Sequence, residues 1–223
     1  MIIGIALEVV YQSWRDQATL SVTNPNGPIR RGNTGQRVVA LTCNVDWGEE
    51  YLPALLEILA SQQVKVTFFI SGRWAERNPE LTKQIAAGGH EIGNHGYSHP
   101  HPNNLSREQL IREIQRTHDT LTRITGQPVK LFAPPYGECS PKVVNTTASL
   151  GYRVVLWSLD TIDWQKPVPS VIVQRVVPRI HNDAIILMHP TFPTVKALPQ
   201  IIDQLRKQGY EFKTVSEISS FLS

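Results

Sequence analysis

Val38-Val39-Ala40-Leu41-Thr42-Cys43 is a short, nearly continuous apolar run, the pattern of a strand buried on both faces of a parallel sheet. Leu52, Leu55, Leu56 and Leu59 follow it at helical spacing. The same unit then recurs. Val64 to Ile70 reads as a strand, followed by a helix that Asn78-Pro79 opens and Gly88 closes. His90 to Gly93 is a strand, and Ser106-Arg107-Glu108-Gln109 is a capping box that starts a long amphipathic helix running to Ile124 and stopped by Gly126. Further strands are expected at Leu131 to Ala133, Arg153 to Trp157, Ala184 to Met188 and Tyr210 to Lys213. The helices among and after them run from Ser140-Pro141 to Gly151, Ser170 to Ile180, Val195 to Gln208 and Thr214 to Leu222.

Strict alternation of strand and helix gives a parallel sheet, and seven repeats of about thirty residues suit a barrel with one unit fewer than the common eight. An open doubly wound sheet is the competing architecture. It would usually carry a Gly-rich phosphate loop after the first strand, and Asn44-Val45-Asp46-Trp47-Gly48 is not one.

At 223 residues the chain suits one α/β domain, expected from residue 28 to 223 behind a lead-in segment, 1 to 27. Thr23-Asn24-Pro25-Asn26-Gly27-Pro28 and Arg31-Gly32-Asn33-Thr34-Gly35 are rich in turn formers, so Ser21 to Gln36 reads as loop. Met1 to Val10 is apolar but too short to span a bilayer, and it reads either as a remnant of a signal or anchor segment or as an edge strand. A formal charge of +3 with scattered Lys and Arg excludes a nucleic-acid-binding stripe. A pI near 8.9 suits loose association with an anionic cell wall. Cys43 and Cys139 make neither a disulfide scaffold nor a CxxC knuckle.

The polar residues that stand out fall at strand ends, where the functional face of a parallel barrel is built. Asn44 and Asp46 follow the first strand, His95 and His99 the third, Pro134-Pro135-Tyr136-Gly137 the fourth, Asp160 and Asp163-Trp164 the fifth, and His189 the sixth. On a turn of helix, His95 and His99 would project from one side with roots about 5 to 6 Å apart. Asp46 is the expected third ligand, with Asp163 its rival. Two imidazoles and a carboxylate leave a tetrahedral Zn²⁺ one open position for water, whose pKa then falls toward about 7.

Ala40-Leu41-Thr42-Cys43-Asn44-Val45-Asp46, Asn94-His95-Gly96-Tyr97-Ser98-His99-Pro100, Phe132-Ala133-Pro134-Pro135-Tyr136-Gly137, Asp160-Thr161-Ile162-Asp163-Trp164 and Leu187-Met188-His189 resemble, in order and spacing, the five motifs of the NodB-homology polysaccharide deacetylases, carbohydrate esterase family 4. The resemblance covers about residues 28 to 222. It implies a distorted (β/α)7 barrel, a divalent metal, usually zinc, and removal of acetyl groups from N-acetylated sugars of chitin or peptidoglycan type. Carried over, Asp46, His95 and His99 would hold the metal, and His189, tuned by Asp160, would protonate the leaving amine. The backbone N–H of Tyr136 would stabilise the oxyanion, and Trp164 and Leu187 would take the acetyl methyl. Pro135 and Tyr97 would complete the substrate surface.

Two positions depart from the pattern. The family's first motif has adjacent aspartates, base then ligand; here Asn44 stands at the base position, with Val45 between it and Asp46. The third motif normally begins with an arginine paired to that base, and here it is Ala133. An amide cannot take a proton from water. Loss of the base together with its arginine strands no buried charge, so the pair of changes is physically coherent. The remaining candidates for a proton acceptor are His189 and Glu138. The chain is thus expected to be an extracytoplasmic or cell-envelope hydrolase of reduced rate acting on an N-acetylated polysaccharide. The competing expectations are a non-catalytic glycan binder using Trp164, Tyr97 and Tyr136, and an amidase for a small non-sugar amide.

Overall fold

The structure, a computed structural model, describes residues 27–219; the expected segments at Met1 to Val10 and Ser21 to Asn26, and the end of the last expected helix, lie outside it. The first strand, β1 (Val38–Val45), is buried along its whole length, as an apolar run with helices on one side and barrel interior on the other requires. After it come α1 (Leu52–Ser61), β2 (Thr67–Ile70), α2 (Gly72–Arg77), α3 (Pro79–Ala87), β3 (Glu91–Asn94), α4 (Arg107–Thr125), β4 (Leu131–Phe132) and α5 (Pro141–Ser149). The chain continues through β5 (Arg153–Val154), β6 (Leu159–Asp160), α6 (Pro169–Val176), β7 (Ala184–Met188), α7 (Phe192–Lys207), β8 (Glu211–Phe212) and α8 (Val215–Ile218).

Every ladder is parallel, and the order is β5-β4-β3-β2-β1-β7-β6 with β8 beside the start of β1. This is the curled parallel sheet of a distorted (β/α)7 barrel, with α1, α4, α6 and α7 packing one apolar cluster against its outside. A smaller cluster, with Ala40, Phe69, Leu131, Ala133, Val155 and Ile185, fills the inside.

Three local features differ from expectation. The strand expected at Arg153 to Trp157 is confined to β5, and a further short strand, β6, begins beyond it at Leu159. The chain pairs with β4 at Arg153 and Val154, then steps across so that Ser158 N–H bonds the Ile185 carbonyl and β6 pairs β7. That step brings the two ends of the sheet together. The segment expected to be loop also contributes, because Ile29 bridges Val155 and Arg31 bridges Ala184 across the same seam.

The two capping boxes form as read. Ser106 accepts from Gln109 N–H while Gln109 reaches back, and Thr214 and Glu217 do the same at α8. The helix α2, without a clear apolar period in its six residues, was not anticipated.

Candidate active site

Asn44 and Asp46, two apart at the tip of β1, both line a cavity of about 440 Å³ at the carboxyl ends of the strands. Val45 between them turns the other way into the helix-side core. The period of two along a strand explains the split. The same cavity is lined by His95, His99, Tyr136, Asp160, Trp164, Leu187 and His189. Among the residues expected to meet substrate, Tyr97 and Pro135 are not on its wall. The Tyr97 hydroxyl donates to Glu76 at 2.8 Å and its ring lies under the Arg116 guanidinium, 3.5 Å from the centroid, which points it away. Pro135 is buried beneath the turn.

The His95 to His99 stretch is a loop, not a helical turn. Gly96 and His99 have φ of 75° and 57°. It is held by two side chains that stand out only in the fold. Asn94, fully buried, accepts from Gly96 N–H through Oδ1 and donates to the Ile114 carbonyl through Nδ2, both at 2.9 Å. Glu113 accepts from the N–H groups of Tyr97 and Ser98 and from the Ser98 hydroxyl. The sequence signal for Glu113 is a carboxylate on the buried stripe of α4, between Leu110 and Ile114.

The loop still brings the two imidazoles together, their centroids 4.9 Å apart. His95 Nδ1 lies 2.7 Å from the Ala133 carbonyl. A carbonyl only accepts, so Nδ1 carries the proton and Nε2 keeps its lone pair. Burial pushes the His95 pKa down to about 3, so the ring is neutral, as a metal ligand must be. Burial likewise lowers His99, while Asp46 opposes the shift. Asp46 itself accepts from the Ser71 hydroxyl at 2.5 Å, and its other oxygen lies 3.8 Å from Arg73. Among the described residues no three His, Cys, Asp or Glu side chains stand together as a cluster that could hold a metal ion. The donor chemistry fits a divalent cation, with two neutral imidazoles and a carboxylate on one cavity, but the carboxylate is engaged elsewhere.

His189 is hydrogen-bonded to Asp163, and Asp160, expected to tune it, stays within electrostatic reach of it. Its Nδ1 donates to Asp163 Oδ1 at 2.8 Å and its backbone N–H to Asp163 Oδ2 at 2.6 Å, and the Thr194 hydroxyl donates to Oδ2 at 2.5 Å. Asp163 is fully buried with both oxygens occupied, which also removes it as a rival metal ligand. Asp160 instead accepts from Ile162 N–H at 2.8 Å, closing the turn that points Asp163 inward. Burial raises its pKa.

Tyr136 has φ 59°, and its turn is closed by bonds from Gly137 to Pro134 and from Glu138 to Pro135. Glu138 is not on the cavity wall. Its oxygens are held by His101 at 2.8 Å and by Asn103 N–H at 3.1 Å, so it does not reach the position of a base. Ala133 is buried in the inner apolar cluster, where no charge could be left unpaired. Trp47 and Trp157, which the sequence did not single out, complete the wall. Trp47 lies parallel to His189, with an interplanar angle of 6° and centroids 5.9 Å apart.

Residues 31–155 match the family model for polysaccharide deacetylases. Over 211 residues, 95% of this chain, it is 42% identical to YlxY of Bacillus subtilis (strain 168), called uncharacterized, and spans 66% of that protein. It is 36% identical to a peptidoglycan-N-acetylglucosamine deacetylase of Bacillus cereus, across 82% of this chain and 88% of that one. A solved carbohydrate esterase family 4 pseudoenzyme from Bacillus anthracis is 42% identical with a TM-score of 0.85, covering 86% of this chain and 69% of that one. A mutant of the same pseudoenzyme, solved with restored enzymatic activity, superposes equally well, at 40% identity.

Proposed function

The chain belongs to the polysaccharide deacetylase family, hydrolases of N-acetyl amide bonds, and from that premise we propose that its cavity binds an N-acetylated glycan of the cell envelope and removes acetyl groups at a rate limited by the missing base. The observation that carries the proposal is that His189, held by Asp163, and Asn44 line one aromatic-walled cavity.

Each residue then has a task. The Nδ1–H bond to Asp163 fixes the tautomer of His189, so its Nε2 can hold a proton and give it to the departing amine nitrogen. The Tyr136 N–H is a donor for the carbonyl oxygen as charge develops there. Trp164 and Leu187 hold the acetyl methyl and exclude water. Trp164, Tyr136 and Trp47 are 53%, 58% and 40% exposed, a stacking surface for the apolar faces of sugar rings. Asp46, His95 and His99 would hold a divalent cation once the Asp46 carboxylate, now held by Ser71 and Arg73, is drawn in to the two imidazoles, Zn²⁺ being the best match to that donor set. When bound, such an ion supplies Lewis acidity and a lowered water pKa. At Asn44 the chain offers no proton acceptor, and loss of such assistance typically lowers rate about 10²- to 10⁴-fold.

The test is acetate release from N-acetylglucosamine oligomers and from peptidoglycan strands, with Zn²⁺ supplied, by the natural chain and by His189→Ala. Slow release that His189→Ala abolishes supports the proposal; release indifferent to His189 contradicts it. A second reading, a non-catalytic glycan binder, is favoured by Asn44 and Ala133 and by the likeness to the Bacillus anthracis pseudoenzyme. It requires glycan binding that survives chelation with no acetate released. A peptidoglycan substrate would call for a location outside the cytoplasm. Among the described residues no helix is long and apolar enough to cross a membrane.

A further inference from the structure

Ser71, Gly72 and Arg73, where β2 runs into α2, are tied to both halves of the candidate cation site. Toward the Asp46 side, Ser71 N–H bonds the Val45 carbonyl at 2.9 Å and its hydroxyl donates to Asp46 Oδ1. Toward the histidine side, the N–H groups of Gly72 and Arg73 donate to the carbonyls of Gly96 and Tyr97, each at 3.0 Å. Nothing larger than glycine fits in the middle, because a Cβ on Gly72 would lie 2.6 Å from the Tyr97 ring and 2.9 Å from the Thr117 hydroxyl. These three residues therefore fix the spacing between the carboxylate and the two imidazoles.

From this anchored backbone Arg73 extends its guanidinium to 3.8 Å from Asp46 Oδ2, the oxygen that Ser71 leaves over. We propose that Arg73 is a positioning residue that lowers the affinity of the cavity for divalent cations, by holding a positive charge against the one ligand oxygen an incoming cation would use. The inference rests on the reading of Asp46, His95 and His99 as the cation-holding set. A cation arriving there must share Oδ2 with the guanidinium or displace it. Arg73 is about half exposed, so the opposition is screened and amounts to a several-fold effect, not orders of magnitude.

The experiment strips the full chain with a chelator and titrates Zn²⁺ against a chromophoric zinc indicator, for the natural chain, Arg73→Gln, Arg73→Lys and His99→Ala. Arg73→Gln is expected to bind Zn²⁺ about two- to fivefold more tightly at low ionic strength, with the gap narrowing as salt is added. Arg73→Lys, which keeps the charge, is expected to stay at the natural value. Arg73→Gln that binds no better than the natural chain, or fails to bind at all, overturns the proposal. So does Arg73→Lys binding as tightly as Arg73→Gln. His99→Ala tests the underlying reading separately: unchanged Zn²⁺ affinity there removes the cation set itself, whereas its loss beside an unchanged Arg73→Gln removes only the role of Arg73.

Discussion

Asp163 accepts two hydrogen bonds from His189, one from the imidazole Nδ1 and one from the backbone N–H, and so fixes both the ring and the chain that carries it. An amide at 163 would set an N–H against one of these donors. Asp163→Asn should therefore lower acetate release about 10²- to 10⁴-fold. It should also cost roughly 1–3 kcal/mol in stability, because the site is fully buried and Thr194 donates to it as well. Steady-state kinetics and urea unfolding measure the two effects, and the ¹⁵N shifts of His189 should show the Nδ1-protonated tautomer lost.

Glycan binding should depend on Trp164 and not on Tyr97. Trp164→Ala removes an exposed indole from the cavity wall and should weaken binding of N-acetylglucosamine oligomers about three- to tenfold. Tyr97→Phe alters only a hydroxyl that bonds Glu76 and should leave that affinity unchanged. Calorimetric titration of both variants checks the contrast.

Stability should fall as pH drops from about 6.5 to about 4. Burial, and then the Lys65 charge, push the His90 pKa down to about 4 from its ordinary 6.5, so the folded ring stays neutral where the unfolded one takes a proton. A depressed histidine contributes stability that is complete above the unfolded pKa and is lost on the way down to the folded one. Chemical unfolding at pH 7.5 and pH 5 should show the loss. His90→Gln, whose side-chain oxygen can still accept from Val66 N–H, should show a shallower slope.

Gly48→Ala should destabilise the chain by about 1–3 kcal/mol. Gly48 has φ 85°, and a Cβ there would lie 2.2 Å from the Pro190 carbonyl oxygen. Because Trp47 precedes it and Pro190 follows His189, the substitution should also disturb the Trp47–His189 stack, readable in tryptophan fluorescence and in the urea midpoint.

The barrel was legible because its signals are local. The apolar run at Val38 to Cys43, the two capping boxes and the alternation of units each announce an element. The step from β5 to β6 was not, since nothing in Val155 to Ser158 says that the chain leaves one neighbour for another four strands away in the sheet. Most of the candidate site was readable because its residues follow strand tips. Asp163 reads in sequence as a rival metal ligand and not as the residue that holds His189, because two aspartates three apart look equivalent and only burial and turn geometry separate them. Tyr97 was misplaced for a related reason: its ring turns outward on a loop whose shape is imposed by Asn94 and Glu113.

The central claim is that this cavity lacks one proton acceptor and is otherwise arranged for amide hydrolysis. Asn44→Asp supplies a carboxylate on the same wall as Asp46 and His99, in the same volume as the amide it replaces. The direct measurement is acetate release from N-acetylglucosamine oligomers, with Zn²⁺ supplied, by the natural chain, Asn44→Asp, and Asn44→Asp combined with Asp163→Asn. The account predicts at least about a tenfold gain in the single variant and its loss in the double. An Asn44→Asp chain that releases no more acetate than the natural one, while folding normally and binding the oligomer, would contradict it.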